Sequence, residues 1–255
     1  MEAGCDGGLG AARRPLTSVD VLVLQHIACE PPGVYEDVLR ERDAKITRVE
    51  LDEGDRLPDR SFDAVIAMGG PMSVNDEDEH PWLRDEKRLI AAAARSGVPV
   101  WGACLGVQLL ASALGATVYA GSEPEVGLLP VTLTEDGRAD PVLGSLPPQV
   151  VTLQWHGDTF DLPDDATLLA SSSAYPNQAF RVRNAYGVQF HLEVTPAMAD
   201  EWSNVPAYRA YADRVLGPGA LPQLLEEFER RASELMDHGR RMFESWFDAT
   251  VGTRR

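Results

Sequence analysis

Three short stretches carry residues whose types and spacing could break a carbon–nitrogen bond. In GACLG, Gly102 to Gly106, a cysteine stands between two glycines where the apolar run VPVWGA gives way to a helical pattern. That is the spacing of a nucleophile elbow, a tight strand-to-helix turn that lifts its central side chain clear of the backbone. A helix starting near Leu105 would aim its free N–H groups and positive dipole end at the Cys104 sulfur. The thiolate, which is the attacking species, is thereby favoured. On this stretch alone, a cysteine in a small-residue turn reads equally well as a core residue.

A thiolate nucleophile needs a base, and GVQFHLEV, Gly187 to Val194, supplies His191 with Glu193 two positions on. If this is an apolar strand ending in His191, residues i and i+2 share one face, so Glu193 can hold the far nitrogen of the imidazole. In AMGGPMS, Ala67 to Ser73, Gly69 and Gly70 follow another apolar run and permit a sharp turn with exposed backbone N–H groups. Paired with the N–H of Leu105, such a turn would make a two-donor hole for the oxyanion of a tetrahedral intermediate. All three stretches fall just after predicted strands, where open α/β sheets place their ligands.

The elements that must hold them follow from hydrophobic pattern. VDVLVLQHI, Val19 to Ile27, is a continuous apolar run, as expected of a buried parallel strand. GVYEDVLRERD then has helical spacing and ITRVEL alternates like a strand, completing a β-α-β unit. The pattern repeats with FDAVIAMGG, the amphipathic WLRDEKRLIAAAARS stopped by Gly97, and VPVWGA. A single doubly wound, mostly parallel α/β sheet flanked by helices is expected. Beyond Thr117 the short runs TVYAG, LLPVTLT, QVVTLQWHG and ATLLASSS, separated by Pro, Gly and Asp, read as additional antiparallel strands. From Ala220 to Phe247 an apolar stripe of Leu221, Leu224, Leu225, Phe228, Leu235, Met236, Phe243 and Phe247 marks a C-terminal helix packed on the body. The expected organisation is a disordered tail over 1–18, the catalytic-type domain over 19–216 and the helical tail over 217–255, with no internal repeat.

With 255 residues, 44% of them hydrophobic and 25% charged, the chain has the composition of a globular domain with a sizeable core. It shows no apolar run long enough for a membrane span and no signal-peptide h-region, so a cytoplasmic location is expected. A formal net charge of −17 would repel nucleic acid and anionic lipid, leaving a small molecule or a protein as partner. Cys5, Cys29 and Cys104 are too few and too scattered for a disulfide framework or metal knuckle. The acidic NDEDEH, Asn75 to His80, lacks calcium-loop spacing and reads as a solvated helix entrance.

Taken together and in this order, GGP, GACLGVQ and GVQFHLEVTP resemble the class I glutamine amidotransferase family, especially the GMP-synthase-like branch and its free-standing members, over roughly Val19 to Pro196. QWHGDTF, Gln154 to Phe160, is similar to the His-Gly-Asp stretch of that branch. The resemblance implies that Cys104 attacks the side-chain carbonyl of glutamine, His191 moves protons and Glu193 orients His191. It further implies that Gly70 and Leu105 form the oxyanion hole, and that Gly69, Gln108, Trp155 and His156 contact substrate. No cofactor is expected, and His156, Asp158, His191 and Glu193 show no recognised metal-ligand motif. Two departures stand out. Leu192 occupies a position where the family usually has proline, and there is no second glycine-rich nucleotide loop or synthetase domain, so a complete GMP synthase is not expected. The expected function is hydrolysis of glutamine to glutamate, with ammonia passed to a partner synthetase. The alternatives are a self-sufficient γ-glutamyl hydrolase or peptidase, and a non-catalytic regulatory or binding module.

Overall fold

The computed structural model of the chain describes residues 18–252. Its first half alternates strand and helix: β1 (Asp20–Gln25), α1 (Val34–Glu41), β2 (Lys45–Glu50), β3 (Ala64–Ala67), α2 (Trp82–Ser96), β4 (Val100–Ala103) and α3 (Leu105–Ala113). β5 (Val118–Leu133), α4 (Glu135–Ala139), β6 (Gln149–Phe160), β7 (Thr167–Ser171), β8 (Ala179–Val182) and β9 (Ala185–Val188) follow, and then α5 (Pro196–Asn204), α6 (Pro206–Leu216) and α7 (Leu221–Trp246). The nine strands form one sheet in the order β2-β1-β3-β4-β9-β8-β7-β5-β6. The first five positions pair in parallel and the rest antiparallel. This is the mixed sheet flanked by helices that the pattern of apolar runs predicts.

Parallel strands covered on both faces must be apolar throughout, and β3 and β4 are buried at every position. Their side chains divide by parity. Val21, Val23, Ala64 and Ile66 face one core with Tyr35, Trp101, Phe243 and Trp246, whereas Leu22, Leu24, Val65 and Ala67 face another with Leu83, Ile90, Leu109 and Leu110. α7 covers the first face: Phe243 stacks on Tyr35 at 4.5 Å and meets Trp101 edge-on at 5.5 Å. α2 and α3 cover the second, with α2 ended by Gly97 at φ 78° as expected.

The second half departs from the sequence reading in three places. TVYAG and LLPVTLT belong to one strand, β5, because the Gly-Ser-Glu-Pro segment that looks like a turn is instead an irregularity in its pairing with β6 between Ala120 and Glu125. α5 and α6 intervene before the C-terminal helix; both begin with proline, and Thr195 caps α5 by accepting from the N–H of Met198. β9 ends at Val188, three residues before His191. The expected N-terminal tail lies outside the described residues, apart from Ser18. Among the described residues no helix is long and apolar enough to cross a membrane.

Candidate active site

Cys104 occupies the single residue between β4 and α3 with φ 52° and ψ −109°. A side chain at such a dihedral costs about 1–3 kcal/mol, a strain that surrounding structure must impose. The neighbours impose it. The Cys104 N–H donates to the Val188 carbonyl at 2.9 Å, tying the turn to β9. A Cβ on Gly102 would come within 2.5 Å of the Gly106 carbonyl oxygen, and one on Gly106 would overlap the carbonyl of Ala67. Both flanking glycines are therefore dictated by backbone approach, and Cys104 projects at the N-terminus of α3 with 7% of its surface exposed.

His191 reaches it from beyond β9. Although outside the strand, its main chain pairs with Leu153 of β6 through bonds of 2.8 and 3.2 Å, which fixes the ring. Its Nδ1–H donates to Glu193 Oε1 at 2.6 Å, and His191 and Cys104 line the same cavity. The other carboxylate oxygen, Glu193 Oε2, accepts from the Leu192 N–H at 3.0 Å, a donor that proline at this position would lack. Burial of His191 opposes its protonation, but the Glu193 carboxylate and then Cys104 carry its pKa well above the ordinary histidine value. Trp202 of α5 closes one side, edge to face with the imidazole at 5.0 Å. α1 braces Glu193 from behind: Val34 N–H donates to its carbonyl at 3.1 Å, and Gly33, at φ 55°, leaves no room there for a Cβ.

Cys104, His191 and the loop carrying Gly70 surround one cavity of about 360 Å³. Gly70 and Leu105 both line it, and neither backbone N–H has a backbone acceptor among the described residues. Gln108, Trp155 and His156 also line it. Gln108 Nε2 donates to Gln189 Oε1 at 3.0 Å, while His156 lies between Glu125 Oε2 at 3.1 Å and the Asp158 carbonyl at 2.9 Å. Gly69 is not on the wall: its Cα face is covered by the Glu30 carboxyl and the His191 ring, and its carbonyl turns to His26 at 3.1 Å. Its place is in shaping the loop.

Five wall residues are not legible in the motifs: Glu30, Trp202, Ala207, Tyr208 and Tyr211. Glu30 accepts from the Tyr208 hydroxyl through Oε1, and its buried Oε2 has no hydrogen-bond partner among the described residues. Burial raises its pKa, partly offset by His191 and Tyr208. The Trp155 indole N–H and the Tyr211 hydroxyl are likewise buried without partners. By contrast, Cys29 is not part of this wall, and burial followed by the Glu30 charge pushes its thiol up to about 12, so it is no competing nucleophile. Among the described residues no group of three or more His, Cys, Asp or Glu side chains is arranged to hold a metal ion.

Residues 34–202 match the family described as "Glutamine amidotransferase class-I". A glutamine amidotransferase-like protein, YfeJ, of Salmonella typhimurium is 36% identical over 176 residues, covering 67% of this chain and 74% of that one. One subunit of the glutamine-hydrolyzing GMP synthase of Sulfolobus acidocaldarius is 33% identical over 139 residues, 53% of this chain and 69% of its own. Full-length GMP synthases among the relatives are matched over only about a quarter of their length. The crystal structure of a glutamine amidotransferase from Thermotoga maritima superposes with a TM-score of 0.81 at 32% identity, over 92% of this chain and 99% of that one.

Proposed function

The chain belongs to the class-I glutamine amidotransferase family, and from that premise we propose that it cleaves the side-chain amide of glutamine through a γ-glutamyl thioester on Cys104. The observation that carries the proposal is the strained Cys104 at a helix N-terminus, sharing one cavity with His191 of the His191–Glu193 pair and with Gly70 and Leu105, whose N–H groups have no backbone acceptor among the described residues. Proton transfer between Cys104 and His191 gives a thiolate–imidazolium pair, stabilised by the α3 dipole on one side and Glu193 on the other. The sulfur adds to the amide carbon, and the oxygen that gains charge is received by the N–H groups of Gly70 and Leu105. His191 then gives its proton to the departing nitrogen, so ammonia leaves and the thioester remains. A water molecule gives a proton to His191 as it attacks the thioester, and glutamate is released with the thiol restored.

The ammonia is passed to a separate synthetase, in keeping with the relative that is one subunit of GMP synthase. A second reading, a γ-glutamyl hydrolase with a larger leaving group, is favoured by the aromatic wall of Trp155, Trp202, Tyr208 and Tyr211 with its unpartnered polar atoms. Glutamate release from glutamine and from γ-glutamyl amides and peptides, with Cys104→Ala as control, tests both. Release from glutamine that needs Cys104 supports the first; turnover confined to the bulkier compounds replaces it with the second, and no release from any of them removes both.

A further inference from the structure

A second buried histidine–glutamate pair, His26 and Glu86, lies against the Gly69–Gly70 turn. His26, just past β1, is fully buried between three groups. Its Nδ1 is 3.1 Å from the Gly69 carbonyl oxygen, its Nε2 is 2.9 Å from Glu86 Oε1 on α2, and its ring stacks on Trp82 at 5.6 Å. A carbonyl oxygen only accepts, so Nδ1 carries a proton and donates to Gly69, while Nε2 and Glu86 Oε1 share the proton between them. Glu86 and Glu30 are the charged groups that face it, and although burial alone would lower its pKa, Glu86 raises it.

The peptide joining Gly69 to Gly70 is planar and trans, so the Gly69 C=O and the Gly70 N–H point in opposite directions. Holding the carbonyl toward His26 turns the Gly70 N–H away from His26, and Gly70 lines the cavity. A turn containing two glycines has little conformational preference of its own to keep that peptide in one orientation. We propose that the buried His26–Glu86 pair acts as a clamp that orients the Gly69–Gly70 peptide for oxyanion stabilisation, making His26 and Glu86 positioning residues for the reaction. The clamp rests on the proposed function, because it matters to catalysis only if the Gly70 N–H receives the oxyanion.

The test compares His26→Leu with the paired change His26→Asn, Glu86→Gln. An asparagine amide nitrogen falls near the place of Nδ1, so the paired change keeps a donor for Gly69 while removing the proton shared between His26 and Glu86. Each variant is first checked for a native thermal transition. His26→Leu is expected to lower kcat for glutamine about a hundredfold, as loss of an oxyanion donor does, with KM little changed. The paired change is expected to recover most of that loss. Inhibition by the γ-aldehyde analogue of glutamine, whose thiohemiacetal carries an oxyanion, should weaken in parallel with kcat/KM, while alkylation of Cys104 by iodoacetamide keeps its rate. Wild-type kcat in His26→Leu, or an undiminished aldehyde affinity, would overturn the clamp. If the wild-type chain hydrolyses no glutamine, the proposed function falls separately, and 15N NMR of His26 still decides whether the pair holds the peptide: a protonated Nδ1 at neutral pH supports the clamp, a bare Nδ1 overturns it.

Discussion

The backbone N–H of Leu192 donates to Glu193 Oε2 at 3.0 Å, so the carboxylate that holds His191 is itself held by the residue between them. A proline here would delete that donor and leave a buried carboxylate oxygen without its partner. Leu192→Pro is expected to cost about 1.5–3 kcal/mol of catalytic stabilisation, roughly tenfold to a hundredfold in kcat. Steady-state glutamate release checks it; an unchanged kcat would mean that the His191–Glu193 bond alone fixes the imidazole.

The strain at Cys104 predicts a conflict between stability and activity. Cys104→Ala and Cys104→Gly both remove the sulfur, but only glycine accepts φ 52° and ψ −109° without a Cβ penalty. The glycine variant should be more stable than the alanine variant by about 1 kcal/mol, measured as the difference in urea midpoint at constant m, with both inactive.

Gly106 is set by the approach of α3 to the Ala67 carbonyl of β3. Gly106→Ala forces those backbones apart and should destabilise the chain by about 1–3 kcal/mol. A denaturation curve shows the loss, and catalysis in the surviving folded fraction should fall as well because the same movement displaces the Leu105 N–H.

Protonation of His191 gives stability a definite pH sign. A histidine whose folded pKa is raised lends stability in full below its unfolded value near 6.5 and loses it as pH rises through the folded value. His26 is raised in the same sense. Thermal midpoints should therefore fall as pH climbs above about 6.5, and the fall should be shallower in His191→Gln. In activity, kcat/KM should decline on the alkaline side as His191 loses the proton it must give to the leaving nitrogen. Glu193→Gln should move that alkaline limb toward neutral pH.

The parts of this site carried by local pattern are legible in the sequence. Cys104, His191 and the Gly69–Gly70 turn each follow an apolar run, and a parallel sheet aligns the ends of such runs. What is not legible depends on packing between distant segments. His26 and Glu30 look like the polar end of β1, and Glu86 looks like a misplaced charge on the buried face of α2; only the fold brings His26 to Glu86, and Glu30 to Tyr208. α5 and α6 escape a reading by periodicity because their apolar faces are weak, although Thr195-Pro196 carries the signature of a capped helix start. Gly121 and Pro124 suggest a turn where pairing with β6 keeps the chain extended on either side. The Leu192 departure is visible in the sequence but not interpretable there, since its consequence is a hydrogen bond of the main chain.

The most direct measurement is rapid quenching of the wild-type protein during glutamine turnover, followed by mass spectrometry of the peptide containing Cys104. A γ-glutamyl group on Cys104 that appears before steady state, disappears when glutamine is exhausted and never forms in Cys104→Ala is the predicted result. Glutamate release that continues in Cys104→Ala, with no adduct on Cys104 in the wild-type chain, would contradict it.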